Sequence, residues 1–225
     1  MKEKLELVIF DMDGLMIDTE SICIKAWEKT MGNFNIKVEK DFFQDVIGSS
    51  ANALRIKMDK VLKNKFDFME VLNYQRRSAA EIVDNEGIKR KKGIIELLDY
   101  LEENNIKKAV ATSSFREKVE KYLKLTELTG KFDYIICGDE VDEPKPAPDL
   151  YTKAHGYFNI DESNLMILED SLNGLNSARA AGIRKRIYIP DLVVLSENQE
   201  KELVYKKFEN LLEVRNFLEK YENRI

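Results

Sequence analysis

The sequence predicts an α/β fold, in which a parallel sheet has helices on both faces and a helical segment is inserted after the first strand. Five short apolar segments have the composition of buried strands, and most of the chain between them has the apolar spacing of helices. Strands that alternate with helices pair in parallel through right-handed crossovers. Ligands of such sheets bind outside the carboxyl ends of the strands.

The predicted strands are rich in Val, Ile, Leu, Tyr or Ala: Leu5–Phe10, Lys107–Thr112, Tyr134–Cys137, Leu165–Leu168 and Ile187–Ile189. One predicted helix covers Gly93–Glu103, ahead of two asparagines typical of a turn. Another covers Asn173–Ala181, and Gly182 follows it as a C-cap glycine would. We expect the C-terminal tail, which is rich in Lys, Arg and Glu, to be a helix with a solvated face.

The interval between the first two strands, roughly residues 15–88, is too long for a single crossover. It has helical patterns over Ser21–Met31, Ala51–Leu62 and Phe68–Val83. We therefore expect two domains: a discontinuous core of residues 1–15 and 84–225, and a helical cap of residues 16–83. An insert that emerges beside the strand ends would lie over the ligand crevice as a lid.

Composition excludes several classes of protein. The formal charge is −5 and basic residues are interspersed with acidic ones, so no nucleic-acid partner is expected. No stretch approaches the roughly 18 apolar residues of a membrane span, so we expect no membrane partner and a cytoplasmic location. Cys23 and Cys137 lie far apart without metal-type spacing, and reduced thiols are expected. A monomer is the expected state.

Polar residues follow four of the predicted strands: Asp11 and Asp13, then Thr112-Ser113-Ser114, then Gly138-Asp139-Glu140 with Lys145 a few residues later, and then Glu169-Asp170-Ser171. Each group has a purely structural alternative, because such residues also form turns, cap helices or cover surfaces. In a parallel sheet, however, all of them converge at one edge. Carboxylates that crowd together raise each other's pKa, so their assembly calls for a cation.

Carboxylate oxygens without a histidine suit Mg²⁺, which often shares its coordination shell with a substrate phosphate. The sequence has a single histidine, His155, within a predicted helix away from these turns. Its position argues against a zinc site and against a serine–histidine triad.

The ordered set Asp11-Met12-Asp13-Gly14, Thr112-Ser113-Ser114, Lys145 in Lys-Pro-Ala-Pro, and Glu169-Asp170-Ser171 before Asn173-Gly174 resembles the haloacid dehalogenase (HAD) superfamily of phosphatases and mutases. The resemblance covers nearly the whole chain and implies a Rossmann-like core. The insert, which begins near Asp18-Thr19-Glu20, is similar to that of the β-phosphoglucomutase and sugar-phosphatase branch.

The resemblance implies a role for each of these positions. Asp11 would be the nucleophile that forms an aspartyl-phosphate, and Asp13 would be the general acid and base. Mg²⁺ would be held by Asp11, the backbone carbonyl of Asp13 and Asp170, with Glu169 adjusting its outer shell. Phosphoryl oxygens would be bound by Thr112, Ser113 and Lys145.

The expected activity is hydrolysis of a small phosphorylated metabolite, such as a sugar phosphate. A phosphosugar mutase is the alternative, but Cys23 and Ala51 stand where we align the histidine and arginine of the mutase pattern. The expected substrate-binding residues are Ser114 beside the phosphate site, with Gly48 and Arg76 in the insert. A non-catalytic binding module and a dehalogenase are further alternatives. The first would have lost the nucleophile, and the second needs no acidic metal site.

Overall fold

The computed structural model describes residues 4–39, 41–47, 51–63 and 65–222. The chain divides into two compact units. An α/β unit contains the residues up to Ile17 and those from Lys89 onward, and a helical unit contains Asp18–Ile88.

The strands of the α/β unit are β1 (Leu7–Phe10), β2 (Lys107–Ala111), β3 (Tyr134–Ile136), β4 (Leu165–Glu169), β5 (Arg186–Tyr188) and β6 (Lys206–Lys207). They form one sheet in the order β3-β2-β1-β4-β5-β6, and every pairing is parallel. The five predicted strands are present, each within two residues of its expected bounds. The predicted α/β, Rossmann-like fold class is confirmed. The short edge strand β6, which consists of two exposed lysines, was not predicted.

The helices, in chain order, are α1 (Thr19–Asn33), α2 (Asp41–Val46), α3 (Ala51–Leu62), α4 (Phe68–Glu86), α5 (Ile94–Glu103), α6 (Arg116–Leu125), α7 (Asp149–Phe158), α8 (Leu172–Ala180), α9 (Glu197–Leu203) and α10 (Leu211–Glu222). The pattern for α3 predicted its observed bounds, whereas α1 and α4 extend beyond theirs. Among the helices that the structure describes, none is long and apolar enough to cross a membrane.

The core of the α/β unit lies on both faces of the sheet because β1 is buried along its whole length. Alternate residues of a strand point to opposite faces, and Leu7 and Ile9 pack on the face that carries α7 and α8. Leu150 and Leu175 of these helices belong to the same apolar cluster. The central strand is therefore held rigidly at the point where it ends in Asp11.

The helical unit has an apolar core of its own, in which α1 packs against α4. Trp27 and Met31 of α1 meet Phe68 and Val71 of α4 in one cluster, to which Met58 of α3 also belongs. Trp27 is 2% exposed, which agrees with a core position for this residue.

Two aspartates begin helices of this unit. The side chain of Asp18 accepts a hydrogen bond from the backbone N–H of Ser21 at the start of α1, and that of Asp67 accepts one from Glu70 at the start of α4. Neither cysteine forms a disulfide; Cys23 is half-buried and Cys137 is buried.

Candidate active site

The parallel register brings the polar turns after β1, β2 and β4 to one edge of the sheet. Phe10, the last residue of β1, lies opposite Val110 of β2 on one side and Leu168 of β4 on the other. The chains therefore leave the sheet side by side. Asp11 follows directly after Phe10, and its backbone N–H still donates to the carbonyl oxygen of Leu168 at 3.0 Å. Glu169 is the last residue of β4.

Lys145 joins two of these carboxylates in a buried group. Its Nζ donates to Asp11 Oδ1 at 2.6 Å and to Glu169 Oε1 at 2.6 Å. The Tyr151 hydroxyl donates to Glu169 Oε1 at 2.7 Å, and its ring lies 4.7 Å from the ammonium. The side chains of Lys145, Asp11 and Glu169 are 5%, 10% and 0% exposed. Buried charges of this kind persist only when they are paired and hydrogen-bonded, as they are here.

Glu169 also orients the turn that follows it. Its second oxygen, Oε2, accepts hydrogen bonds from the backbone N–H groups of Asp170 and Ser171 and from the Ser171 hydroxyl. The Ser171 hydroxyl in turn accepts from the N–H of Gly174 and so caps α8. A side chain on Gly174 would clash with the Glu169 carboxylate. Glycine at this position lets the helix approach the buried charge closely.

The electrostatics of the buried group affect the two partners differently. Burial raises the pKa of Asp11 to about 7, and the charges of Glu169 and Asp13 add to this, while Lys145 opposes it. Burial alone would lower the pKa of Lys145, but the charges and hydrogen bonds of Asp11 and Glu169 together raise it above its ordinary range. The lysine therefore stays charged, and Asp11 needs further positive charge to be fully ionised near neutral pH.

The carboxylates of this edge fit a divalent cation. One oxygen each from Asp11, Glu169 and Asp170 lies within 4.8 Å of the others, and all three residues are buried. This group contains only hard oxygen donors, which suits a metal such as Mg²⁺. Gly14 has a φ of 83°, and a side chain there would clash with Asp170 Oδ2. Glycine at position 14 thus leaves the space beside the Asp170 carboxylate unfilled.

Asp13 lies in a second, half-exposed group. Its Oδ2 accepts a hydrogen bond from Ser114 Oγ at 2.6 Å, and its Oδ1 accepts one from Lys118 Nζ at 2.9 Å. Lys118 Nζ also donates to Ser114 Oγ at 2.9 Å, and Thr112 Oγ1 lies 3.5 Å from Asp13 Oδ2. The side chains of Asp13 and Lys118 are 28% and 41% exposed. Asp13 is therefore positioned by protein donors while remaining open to solvent.

The hydroxyls after β2 do not cap the helix that follows them. Helix α6 begins after Phe115, which makes no capping side-chain hydrogen bond, and the N–H of Arg116 donates instead to Asp139 Oδ1 at 3.0 Å. Ser114 and Thr112 turn towards Asp13, whereas Ser113 is exposed. The capping alternative for this turn is thus excluded for the described structure.

The expected convergence of the residues after β3 is found for Lys145, which binds Asp11 and Glu169. It was wrong for Asp139 and Glu140, which form a local turn that binds Arg116. Their strand lies at the sheet edge, with β2 between it and β1, and the guanidinium accounts for their charge. His155 lies in α7, where its Nε2 is 2.5 Å from the carbonyl oxygen of Ile160.

Of the two substrate-binding residues expected in the insert, the structure describes one. Gly48 lies outside the described residues. Arg76 is an exposed residue of α4 in the helical unit, and its side chain is open to solvent.

The structure adds two residues that the sequence analysis missed. Lys118 lies one helical turn after Ser114, and this i, i+4 spacing is a signal that could have indicated its contact. Tyr151 comes six residues after Lys145 in α7, and no local pattern distinguishes it from an ordinary core tyrosine.

Comparison with known proteins agrees with this geometry. The sequence profile described as haloacid dehalogenase-like hydrolase matches residues 8–187. The chain belongs to this family. The phosphorylated carbohydrates phosphatase of Thermotoga maritima is 30% identical over 188 residues, which cover 82% of this chain and 84% of that protein. The predicted superfamily and the expectation of a hydrolase are confirmed.

Two solved structures share the fold. CbbY from Rhodobacter sphaeroides in complex with phosphate superimposes with a TM-score of 0.73 at 23% identity, over 93% of this chain and 96% of that chain. β-Phosphoglucomutase from Clostridium difficile gives a TM-score of 0.71 at 20% identity and covers 98% of both chains. At these identities the similarity establishes the architecture alone.

Proposed function

We propose that this HAD protein is a Mg²⁺-dependent phosphatase that hydrolyses a small phosphorylated metabolite, in particular a sugar phosphate, through an aspartyl-phosphate. The observation that carries the proposal is the contrast between two carboxylates on one turn. Asp11 is buried beside Lys145 and the acidic group, whereas Asp13 is half-exposed and held by Ser114 and Lys118. The first environment suits a nucleophile and the second a proton carrier.

In the first step, an Asp11 carboxylate oxygen attacks phosphorus and the bond from phosphorus to the leaving oxygen breaks. Asp13, in its protonated form, donates its proton to that oxygen, so the dephosphorylated metabolite leaves as an alcohol. The product on the protein is an acyl phosphate at Asp11. Lys145 stabilises charge that develops on the phosphoryl oxygens, and the hydroxyl and amide groups of the Thr112-Ser113 turn bind the same oxygens.

In the second step, Asp13 removes a proton from water as the water oxygen attacks phosphorus. The bond from phosphorus to Asp11 breaks, which releases phosphate and restores both carboxyl groups. Asp13 can serve both steps because its side chain is accessible to solvent yet fixed by hydrogen bonds from Ser114 and Lys118. Ser114, which donates to Asp13, is the proposed contact with the leaving group on this side of the site.

Asp11, the backbone carbonyl of Asp13 and Asp170 would hold Mg²⁺, and Glu169 would fix Asp170 through its hydrogen bond to the turn. When bound, Mg²⁺ supplies positive charge that lets an anionic carboxylate approach an anionic phosphate. This charge also favours the ionised form of Asp11, whose pKa burial raises to about 7 in the metal-free protein.

We assign substrate selection to the helical unit, residues 16–83 in the sequence-based division, which would act as a cap that limits the access of water. Gly48 and Arg76 are the proposed contacts with the leaving part of the substrate. Arg76→Ala should raise KM for a preferred sugar phosphate while changing kcat little, because its role would be in binding. An unchanged KM would remove Arg76 from the substrate site.

A phosphosugar mutase is the alternative, in which a sugar hydroxyl instead of water attacks the phosphoenzyme. Cys23 replaces the histidine of the mutase pattern, and its thiol lies 3.9 Å from the Gln75 amide nitrogen, a neutral neighbour. A neutral group at this position favours the phosphatase, because a second phosphate would lack a cationic partner there. The assay is conversion of β-glucose 1-phosphate to glucose 6-phosphate with a bisphosphate primer. Isomer yield above phosphate release would favour the mutase.

The test of the proposed function is phosphate release from p-nitrophenyl phosphate and from a panel of phosphorylated metabolites. Wild type should turn over with Mg²⁺ and stop in excess EDTA. Asp11→Asn should lose turnover by at least about a thousandfold. Asp139→Asn is the matched control, since this aspartate also follows a strand but binds the start of α6. Full turnover in EDTA, or by Asp11→Asn, would refute the mechanism.

A further inference from the structure

Asp191 carries a buried carboxylate oxygen that lacks a hydrogen-bond donor among the described residues. The residue follows β5, where the N–H of Ile189 donates to the Glu169 carbonyl at 2.8 Å and brings the chain past the end of β4. Its Oδ1 accepts a hydrogen bond from Lys91 Nζ at 2.6 Å, and its Oδ2 is the atom without a donor. An unsatisfied buried acceptor costs about 1–3 kcal/mol, so it calls for a functional explanation.

The unpaired oxygen points to the acidic group. A carboxylate oxygen of Asp191 lies within 4.8 Å of one of Asp170. A Cβ built on Gly14 would clash with Asp170 Oδ2 and would lie 3.4 Å from Asp191 Oδ2. The two oxygens therefore border the same small space, which glycine at position 14 leaves open. The side chain of Asp191 is 12% exposed, so bulk water has little access to it.

Lys91 fixes the direction of this carboxylate. Its backbone N–H donates to the carbonyl oxygen of Met16 at 2.9 Å, and its ammonium binds the Oδ1 side of Asp191. The positive charge of Lys91 balances the negative charge of Asp191. Asp191 therefore adds an acceptor oxygen beside the acidic group without adding net negative charge. Because Oδ1 is occupied, Oδ2 is held towards Asp170.

We infer that Asp191 is a positioning residue for the metal proposed at Asp11 and Asp170, with Oδ2 accepting a hydrogen bond from the hydration shell of the ion. Mg²⁺ dehydrates reluctantly and keeps several of its waters, so acceptors around it strengthen its binding. Partners of this kind typically contribute 10–100-fold in metal affinity. The inference rests on the proposed metal-dependent function and adds a residue from the segment that follows β5.

The test is calorimetric titration of Mg²⁺ into the metal-free, full-length protein without substrate. Asp191→Asn keeps the shape of the side chain and removes its charge, and it should raise the Kd for Mg²⁺ by about tenfold or more. Lys91→Met removes the other member of the ion pair and also a positive charge near the metal. Loss of the orienting contact should weaken Mg²⁺ binding and loss of the repulsive charge should strengthen it, so the Kd of Lys91→Met should rise less than that of Asp191→Asn.

Asp133→Asn is the matched control for loss of an ion pair. Asp133 binds Lys107 at 2.8 Å. It precedes the first residue of β3 and so lies at the opposite end of the strands from the acidic group. The Kd of Asp133→Asn for Mg²⁺ should therefore equal that of wild type. Thermal unfolding in EDTA verifies that each variant is folded, and Asp191→Ser replaces Asp191→Asn if the latter is not.

Two results would overturn the inference while leaving the proposed function intact. The first is a Kd for Asp191→Asn within about threefold of wild type, short of the effect expected of a metal-positioning residue. The second is an equal loss of Mg²⁺ affinity in Lys91→Met and Asp191→Asn. This result would show that the ion pair acts only by supporting the local structure. A wild type that binds no Mg²⁺ would refute the metal proposal and this inference with it.

Discussion

Asp11 and Asp13 leave the same strand two residues apart, and each is bound by a lysine, but the two pairs have different surroundings. Lys145 and Asp11 are 5% and 10% exposed, whereas Lys118 and Asp13 are 41% and 28% exposed. The buried pair also includes Glu169 and its hydrogen bonds to the next turn. Spacing in the sequence brings two carboxylates to one site, and the strands around them decide which one is shielded from water.

This difference separates two kinds of chemistry. A nucleophile benefits from a dry, fixed environment, in which neighbouring charges act strongly on the reacting atoms. A general acid and base must exchange protons with water, so it needs to remain accessible. With the proposed roles of Asp11 and Asp13, damage to the buried group should reduce both stability and turnover, and damage to the half-exposed group should affect chiefly turnover.

Lys145→Met should have the largest effect. It leaves Asp11 and Glu169 without their buried cation, and breaking a buried ion pair typically costs about 3–5 kcal/mol of unfolding free energy. Urea denaturation in EDTA measures this loss, and turnover with Mg²⁺ should fall below detection. A variant as stable as wild type would show that the buried group is less dependent on the lysine than its contacts indicate.

Five strands and the acidic turns could be predicted because these strands are short apolar runs that end abruptly in polar residues. Asp11, Asp13, Glu169 and Asp170 were located in this way. The strand β6 could not be found, since its two exposed lysines carry no apolar signal and only pairing with β5 defines it.

Long-range contacts explain the remaining differences. Arg116, from the start of α6, binds Asp139 and Glu140 and keeps them out of the acidic group. Tyr151 and Asp191 reach the site from elements whose sequences resemble ordinary core and loop segments. Tertiary packing determines which side chain pairs with which carboxylate. These pairings therefore cannot be predicted from local patterns in a single sequence.

The pH dependence of stability in the metal-free protein tests the burial of Asp11. Its pKa is raised from 3.8 to about 7, so between these values the folded state binds more protons than the unfolded state. The contribution of Asp11 to stability is therefore full below about pH 4 and is lost as the pH rises through 7. Asp11→Asn lacks this titration, so its stability relative to wild type should increase over the same range.

Urea denaturation of both proteins in EDTA at several pH values measures that difference. An offset between the two proteins that does not change with pH would contradict the raised pKa of Asp11.

Lys118→Met should have the smallest effect on stability. An ion pair this exposed contributes about 0–1 kcal/mol, so its unfolding free energy should stay near that of wild type. Turnover should fall by no more than about a hundredfold, since Asp13 loses one of its orienting donors but keeps Ser114. Comparison with Lys145→Met is the control, and equal destabilisation by the two substitutions would remove the contrast between the groups.

The most direct test of phosphoryl transfer to Asp11 uses Asp13→Asn with p-nitrophenyl phosphate and Mg²⁺. The nitrophenolate leaves without protonation, so Asp11 should still be phosphorylated, while the loss of the base should slow attack by water. Acid quenching followed by intact-protein and peptide mass spectrometry should then find one added phosphoryl group on Asp11. Asp13→Asn combined with Asp11→Asn should remain unmodified. A phosphoryl group on another residue, or turnover with unmodified protein throughout, would contradict the account.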